Sequence, residues 1–432
     1  MNIEKKEINV PILARVEGEG ALELEVLENK LKSLTLRIYE PPRLFEQFLV
    51  GRNYSDVVDI VARICGICPI AYQMSAAHAI ESVFDIQPGP WVREMRRLFY
   101  CGEWIQSHSL HVHLLASPDF LNFNSALEMA KKYPNEVTRG LRIQELGHDI
   151  ITLLGARSVN PVGACVGGFY KAPTMEEAKA LLKKLKDAES EVADMVRWVA
   201  TLPIPKFSHD ITCVSLRHPD EYPFNEGHVV SNKGLDIPIS EFNDHFEETH
   251  VPQSTSLHSH LNGEPYLVGP LARINNNFDL LPDKVKALVA ETGVKYPSDN
   301  MFDSINARAV EIYYSVVEAI RILENYTCPD ASRVEVKATK AGWGYGCTEA
   351  PRGICWHRYE LDDAGKVKFS QIVPPTSQNY ARIEEDLRMS LEELGLEHPD
   401  DELRLLAEMV IRNYDPCISC SVHFLDLRVD RS

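Results

Sequence analysis

The sequence contains no apolar run of the roughly 18 residues needed to cross a bilayer, so no membrane span is expected. Its opening, Met1-Asn2-Ile3-Glu4-Lys5-Lys6-Glu7, has no apolar h-region of a secretory signal. A surplus of cationic side chains is also missing. Lys and Arg number 45 against 63 Asp and Glu, a formal net charge of -18, which argues against nucleic acid or an anionic membrane as partner. Ten cysteines in 432 residues are too sparse for a disulfide scaffold and point to a reducing, cytoplasmic setting. No fixed-period repeat and no low-complexity linker divides the chain, so residues 1–432 are expected to form one domain.

With 44% hydrophobic residues, the chain is long enough to bury a large core. Leu22, Leu24 and Val26, then Leu34, Leu36 and Ile38, recur at period two around a polar turn near Glu28-Lys30. This predicts a hairpin within an N-terminal β region of about residues 8–40. Helical spacing is expected over 56–64, 69–84, 103–115, 175–202, 282–291, 304–326, 381–394 and 401–414. In the 304–326 segment, Ile305, Ala309, Ile312, Val316, Ile320 and Leu323 form one apolar stripe. Pro416 is expected to end the last helix. Residues 203–275 and 327–380 read as ordered loops with short β-like runs such as Arg333–Lys337. The expected class is α+β: a mostly helical single large core with small β-sheet excursions and long ordered loops.

Two C-x-x-C pairs stand at opposite ends, Cys65-Gly66-Ile67-Cys68 and Cys417-Ile418-Ser419-Cys420. Two intervening residues let one turn of chain point both thiolates at a single metal. Zinc sites of this kind usually bring their pairs close in sequence, whereas here more than three hundred residues intervene, and a large preformed protein must bring the ends together. That suits a catalytic centre better than a structural staple. Three readings stay open at this point: a structural zinc or iron-sulfur site, a redox dithiol, and a buried centre for nickel, iron or copper. The other six cysteines have no matching spacing and read as small buried apolar residues.

Arg63-x-Cys65-Gly66-x-Cys68 together with Asp415-Pro416-Cys417-x-x-Cys420-x-x-His423 resembles the large, catalytic subunit of nickel-iron hydrogenases. Arg15-Val16-Glu17-Gly18, Arg43-Leu44-Phe45-Glu46, Gly167-Gly168-Phe169, Gly269-Pro270-Leu271-Ala272-Arg273 and Glu349-Ala350-Pro351-Arg352-Gly353 extend the likeness over nearly the whole chain. The run Ala407-Glu408-Met409-Val410 before the last motif resembles the cytoplasmic group coupled to NAD(P) or another soluble carrier.

The resemblance implies nickel held by Cys65, Cys68, Cys417 and Cys420, with Cys68 and Cys420 bridging to an iron that carries CO and cyanide. It implies reversible heterolytic cleavage of H2, with Cys417 as base and Glu17 as the next proton carrier. A carboxylate suits that task because burial tunes its proton affinity toward working pH. Arg352 is implied over the metals, with Pro351, Asp415 and Asp119 completing a canopy and Thr376 bonding a cyanide. Glu46 and His423 are implied ligands of a magnesium or iron near the C-terminus. Of the histidines between Ser107 and His113, His111 lies where the family keeps its canopy, although all three read first as surface or core residues.

The chain has no iron-sulfur ligands beyond these four cysteines. The resemblance therefore implies a small subunit bearing iron-sulfur clusters, with diaphorase or other electron-transfer subunits, a maturation protease and nickel-insertion proteins as further partners. It also implies removal of the tail 424–432 on maturation. Departures from the family pattern are Tyr72, Glu19 and Asn160, where histidines are usual. An H2 sensor with the same centre and low turnover, a non-catalytic descendant, and a helical protein with one zinc site are the rival readings.

Overall fold

The computed structural model describes residues 5–422. The period-two alternation near the N-terminus becomes a three-stranded antiparallel sheet of β1 (Lys5–Val10), β2 (Gly20–Leu27) and β3 (Lys30–Ile38). Leu22, Leu24, Val26, Leu36 and Ile38 are buried on its inner face. Glu28 and Asn29, at φ 51° and 55°, make the tight turn that the polar break predicted. Strand β1 was not legible, because its only apolar alternation is Ile8 and Val10 in a charged edge strand.

The long helices are α1 (Pro69–Phe84), α2 (Pro90–Leu110), α3 (Pro134–Gly155), α4 (Met175–Val199), α5 (Ser304–Glu324), α6 (Pro375–Leu394) and α7 (Asp400–Asn413). Thr174 and Glu177 close a capping box at the start of α4. Helix α2 begins at Pro90 instead of residue 103, because Arg96 and Arg97 interrupt its apolar stripe. Both are buried by ion pairs, Arg96 with Glu81 and Arg97 with Glu221 and Glu318. A π-helical turn, His111–Ala116, extends α2 and aims its side chains differently from the α-helix before it. Helix α3 was not expected, since Gly140 and Gly147 lower its propensity. Helix α7 ends at Asn413, short of Pro416, and the chain then turns through Asp415 at φ 56°.

A second antiparallel sheet, β4 (Gly342–Ala350), β5 (Gly353–Leu361) and β6 (Val367–Val373), lies where loops with short β-like runs were expected. Its glycines are packing residues: a Cβ on Gly344 would come within 1.9 Å of Ala79 O in α1, and one on Gly346 within 2.0 Å of Ser75 O. The run Arg333–Lys337 is not a strand, and only Arg333 makes an isolated bridge, to Gly168. One large apolar cluster runs through the helices, the N-terminal sheet and both cysteine pairs; a smaller one gathers around Phe242, Tyr266 and Trp356. Mostly helical with small antiparallel sheets, the architecture matches the expected class. Among the described residues no helix is long and apolar enough to cross a membrane.

Candidate metal centre

Cys65 and Cys68 lie on the turn that enters α1, and Cys417 and Cys420 follow α7. The fold closes the gap between them. The Sγ atoms of Cys65 and Cys68 are 2.8 Å apart, those of Cys417 and Cys420 2.6 Å, and the pairs meet at 3.5 Å (Cys65 to Cys417) and 3.9 Å (Cys68 to Cys420). All four are buried, and all four donor atoms lie within 4.8 Å of one another. Sulfurs gathered this closely can share a metal ion, whose bonds to thiolate are about 2.3 Å long. Burial and the neighbouring sulfurs push Cys68 and Cys420 well up, whereas Cys65, against the same burial, is held well down by bonds from the other three thiols. A thiolate set of this softness and burial fits nickel and iron.

Three side chains tie down the segments that carry the two pairs. Arg43 donates from Nη2 to Ile64 O at 2.7 Å and also to Ser419 O, so one guanidinium ties the first cysteine segment to the second. Glu103 of α2 accepts from Ile70 N and Ala71 N at 2.6 and 3.2 Å and so caps the first turn of α1 directly after Cys68. Burial pushes its carboxyl well up despite those bonds. Gln106, one turn further along α2, donates to Ile67 O.

Glu17, partly buried, accepts from Ser419 N at 3.1 Å and from Cys417 Sγ at 3.2 Å. Its own carbonyl accepts from Ile418 N at 3.0 Å. Gly18 makes this approach feasible: it sits at φ 91°, and a Cβ there would come within 2.6 Å of the Ile418 side chain.

Arg352 is buried and grips Asp415 at two points, from Nε to the carbonyl at 2.6 Å and from Nη2 to Oδ1 at 2.9 Å. Burial opposes its charge, but Asp415 and the cysteine sulfurs keep it firmly protonated. Thr376, at the start of α6, accepts from Cys417 N at 3.1 Å. Pro351 O accepts from Arg273 at 2.9 Å. Asp119 is buried, and its carboxylate is taken by Arg412, at 2.7 and 2.9 Å, and by Arg15, with no hydrogen bond to Arg352. Glu46 accepts from Ile372 N at 2.7 Å. His423, its expected companion, and the tail 424–432 lie outside the described residues.

Behind Arg352 stands a charged network with no solvent exposure. Arg273 pairs with Glu311 and Glu349, lies over the Trp104 ring at 4.2 Å, and donates to Ala350 O and Pro351 O. Burial opposes ionisation of Glu311, yet Arg273 and His108 hold it down to about 2, while burial wins at Glu349 and pushes it up to about 7. Glu311 is buried on α5 but lies beside the Ile305–Leu323 apolar stripe, not on it, so helical spacing alone gave no signal of it.

A buried four-thiolate cage with a carboxylate against one of its sulfurs, in a mostly helical fold, defines a site able to hold a nickel- or iron-type metal. The family model described as nickel-dependent hydrogenase matches residues 43–141 and 258–423. The alpha chain of sulfhydrogenase 1 from Pyrococcus furiosus is 34% identical over 428 residues, 97% of this chain and 98% of that one. The alpha chain of sulfhydrogenase 2 from the same organism is 29% identical over 423 residues, 97% of this chain and 100% of that one. The crystal structure of an NAD+-reducing nickel-iron hydrogenase in the H2-reduced state shares the fold at a TM-score of 0.88 and 24% identity, covering 97% of this chain and 99% of that one. The chain belongs to the nickel-dependent hydrogenases and is a large, catalytic subunit of the nickel-iron type, an H2:acceptor oxidoreductase.

Proposed function

We propose that the chain is one domain that cleaves H2 reversibly in a soluble, cytoplasmic complex, passing electrons through an iron-sulfur small subunit to NAD(P) or another soluble carrier. The observation that carries the reading is the contact between Cys417 Sγ and Glu17 Oε2 at the edge of the thiolate cage, a route for protons that a structural zinc site has no use for. In support, relatives that match nearly the whole chain are named as subunits of hydrogenases, and the NAD+-reducing enzyme shares the fold. The carrier, the small subunit, any diaphorase subunits, the maturation protease and the nickel-insertion proteins belong to this proposal, as does removal of residues 424–432. So does the cytoplasmic setting.

In this reading Cys65, Cys68, Cys417 and Cys420 would hold nickel, and Cys68 and Cys420 would also serve an iron bearing CO and cyanide. These residues would thereby give the site Lewis acidity toward H2, favouring its uneven cleavage. The protein's own part is to move the proton and to shape the cage. Cys417 Sγ donates toward the carboxylate of Glu17, a residue only partly buried. Arg352, Pro351 and Thr376 would present donors and apolar surface to the diatomic ligands, and Asp415 fixes the guanidinium plane of Arg352. Asp119 steadies Arg412 at the end of α7. Glu46 and His423 are proposed for the magnesium or iron site.

Infrared absorption in the CO and cyanide stretching region, with nickel and iron counted on the same sample of the purified complex, tests the reading. Bands with nickel and iron present in equal amounts support it. Zinc alone, without such bands, overturns it.

A further inference from the structure

Helix α7 ends four residues before Cys417, and its C-terminal carbonyls are buried away from water. Such carbonyls need partners from outside the helix. Four consecutive ones find them in side chains. Arg412 O accepts from His111 Nε2 at 2.8 Å, Asn413 O from Arg308 Nη1 at 3.0 Å, Tyr414 O from Arg308 Nη2 at 3.2 Å, and Asp415 O from Arg352 Nε at 2.6 Å.

Arg308 is 2% exposed, and its bonds go to these carbonyls and to Ser304 Oγ at 2.6 Å, not to a carboxylate. A cation held against the negative end of a helix dipole is favourable, and the two carbonyls match the fork of its guanidinium. Burial lowers Arg308 to about 10, with Asp415 opposing, so it stays charged at neutral pH.

Glu311 follows Arg308 by one turn of α5. It anchors Arg273 through Nε and Nη2 at 2.8 and 2.7 Å, and Arg273 in turn holds Ala350 O and Pro351 O, the two residues before Arg352. Two neighbouring positions on one buried helix thus grip both loops: the one that carries Arg352 and the one that carries Asp415 and Cys417.

We propose that Arg308 is a positioning residue for the metal centre. By capping the end of α7 from α5, it sets where Asp415 and Cys417 stand relative to Arg352. This rests on the hydrogenase reading above. A lysine at 308 keeps the charge but reaches one carbonyl at a time, so the 413–415 turn loosens and Arg352 shifts with Asp415.

The test uses the purified holoenzyme carrying Arg308→Lys, Ser304→Ala, which slackens Arg308 without removing a charge, or the control Arg96→Lys, which weakens a buried pair with Glu81 away from both loops. Arg308→Lys is expected to keep its nickel and iron, to shift the cyanide stretching bands, and to lower kcat about tenfold or more with KM for H2 within about twofold, the pattern of misplaced catalytic groups. Ser304→Ala is expected to shift the same bands by less and remains informative if Arg308→Lys fails to fold. Arg96→Lys is expected to lower Tm and leave the bands in place. Unshifted bands and unchanged kcat in Arg308→Lys, or in Ser304→Ala where the lysine variant does not fold, would overturn the inference. Wild-type protein without such bands would instead overturn the hydrogenase reading and this inference with it.

Discussion

Cys417 and Glu17 are 400 positions apart in sequence, yet the sulfur of one lies 3.2 Å from a carboxylate oxygen of the other. The thiol is buried and Glu17 only partly so, which puts the thiolate cage one contact from a residue that is not fully enclosed.

Glu17→Gln keeps an oxygen for Ser419 N–H but loses the carboxylate that takes the proton. H2 turnover should fall about 10²- to 10³-fold while nickel and iron contents stay unchanged. Exchange between D2 and solvent protons, measured in the gas phase, should fall with it. Turnover within about twofold of wild type would remove Glu17 from the proton route.

Arg43→Ala removes the tie between Ile64 O and Ser419 O. The two cysteine segments then hold their register less firmly, and nickel per chain should drop with helix content by circular dichroism unchanged. Full nickel occupancy in this variant would show that α1 and α6 position the pairs without it.

Gly147 of α3 faces α2 so closely that a Cβ would lie 2.6 Å from Gly102 O and from Gln106 N. Gly147→Ala should destabilise the protein by about 1–3 kcal/mol through overpacking. Glu103 and Gln106, which hold the first cysteine pair, ride on the displaced helix, so metal content should fall as well. Chemical denaturation and metal analysis of the same variant check both parts.

Acid should weaken the fold through its buried histidines. Burial pushes His113, stacked on Trp198, down to about 3, and His108 down to about 4. Between those values and the ordinary 6.5 the unfolded chain binds a proton that the folded one refuses. Stability therefore rises with pH across that window, and each such group costs about 1.4 kcal/mol per unit as pH falls. His113→Gln should flatten the slope of unfolding free energy between pH 6.5 and 5 by up to one proton. An unchanged slope would mean that His113 is protonated in the folded state.

The elements read correctly were those where one signal dominates. Alternating Leu and Val gave the β2–β3 hairpin, and α1 runs over the residues its pattern predicted. Misreadings cluster where charges or glycines serve the interior. Arg96 and Arg97 look like surface residues until their partners Glu81, Glu221 and Glu318 are seen. Gly344 and Gly346 look like loop residues until α1 is laid against them. Arg308 and Glu311 are buried in α5 beside its apolar stripe and look like ordinary surface charges until their partners are seen, because burial without a partner is costly.

The sequence by itself determined the donor set: two C-x-x-C turns, each able to point both sulfurs at one ion, because that geometry is local. It also set the motif company that identifies the family. Which groups meet across hundreds of residues was decided only by tertiary packing. The fold put Glu17 on Cys417, tied the two cysteine segments through Arg43, and gave Asp119 to Arg412 and Arg15 while Asp415 took Arg352. Those pairings depend on where buried helices lie relative to one another, and no local spacing encodes that.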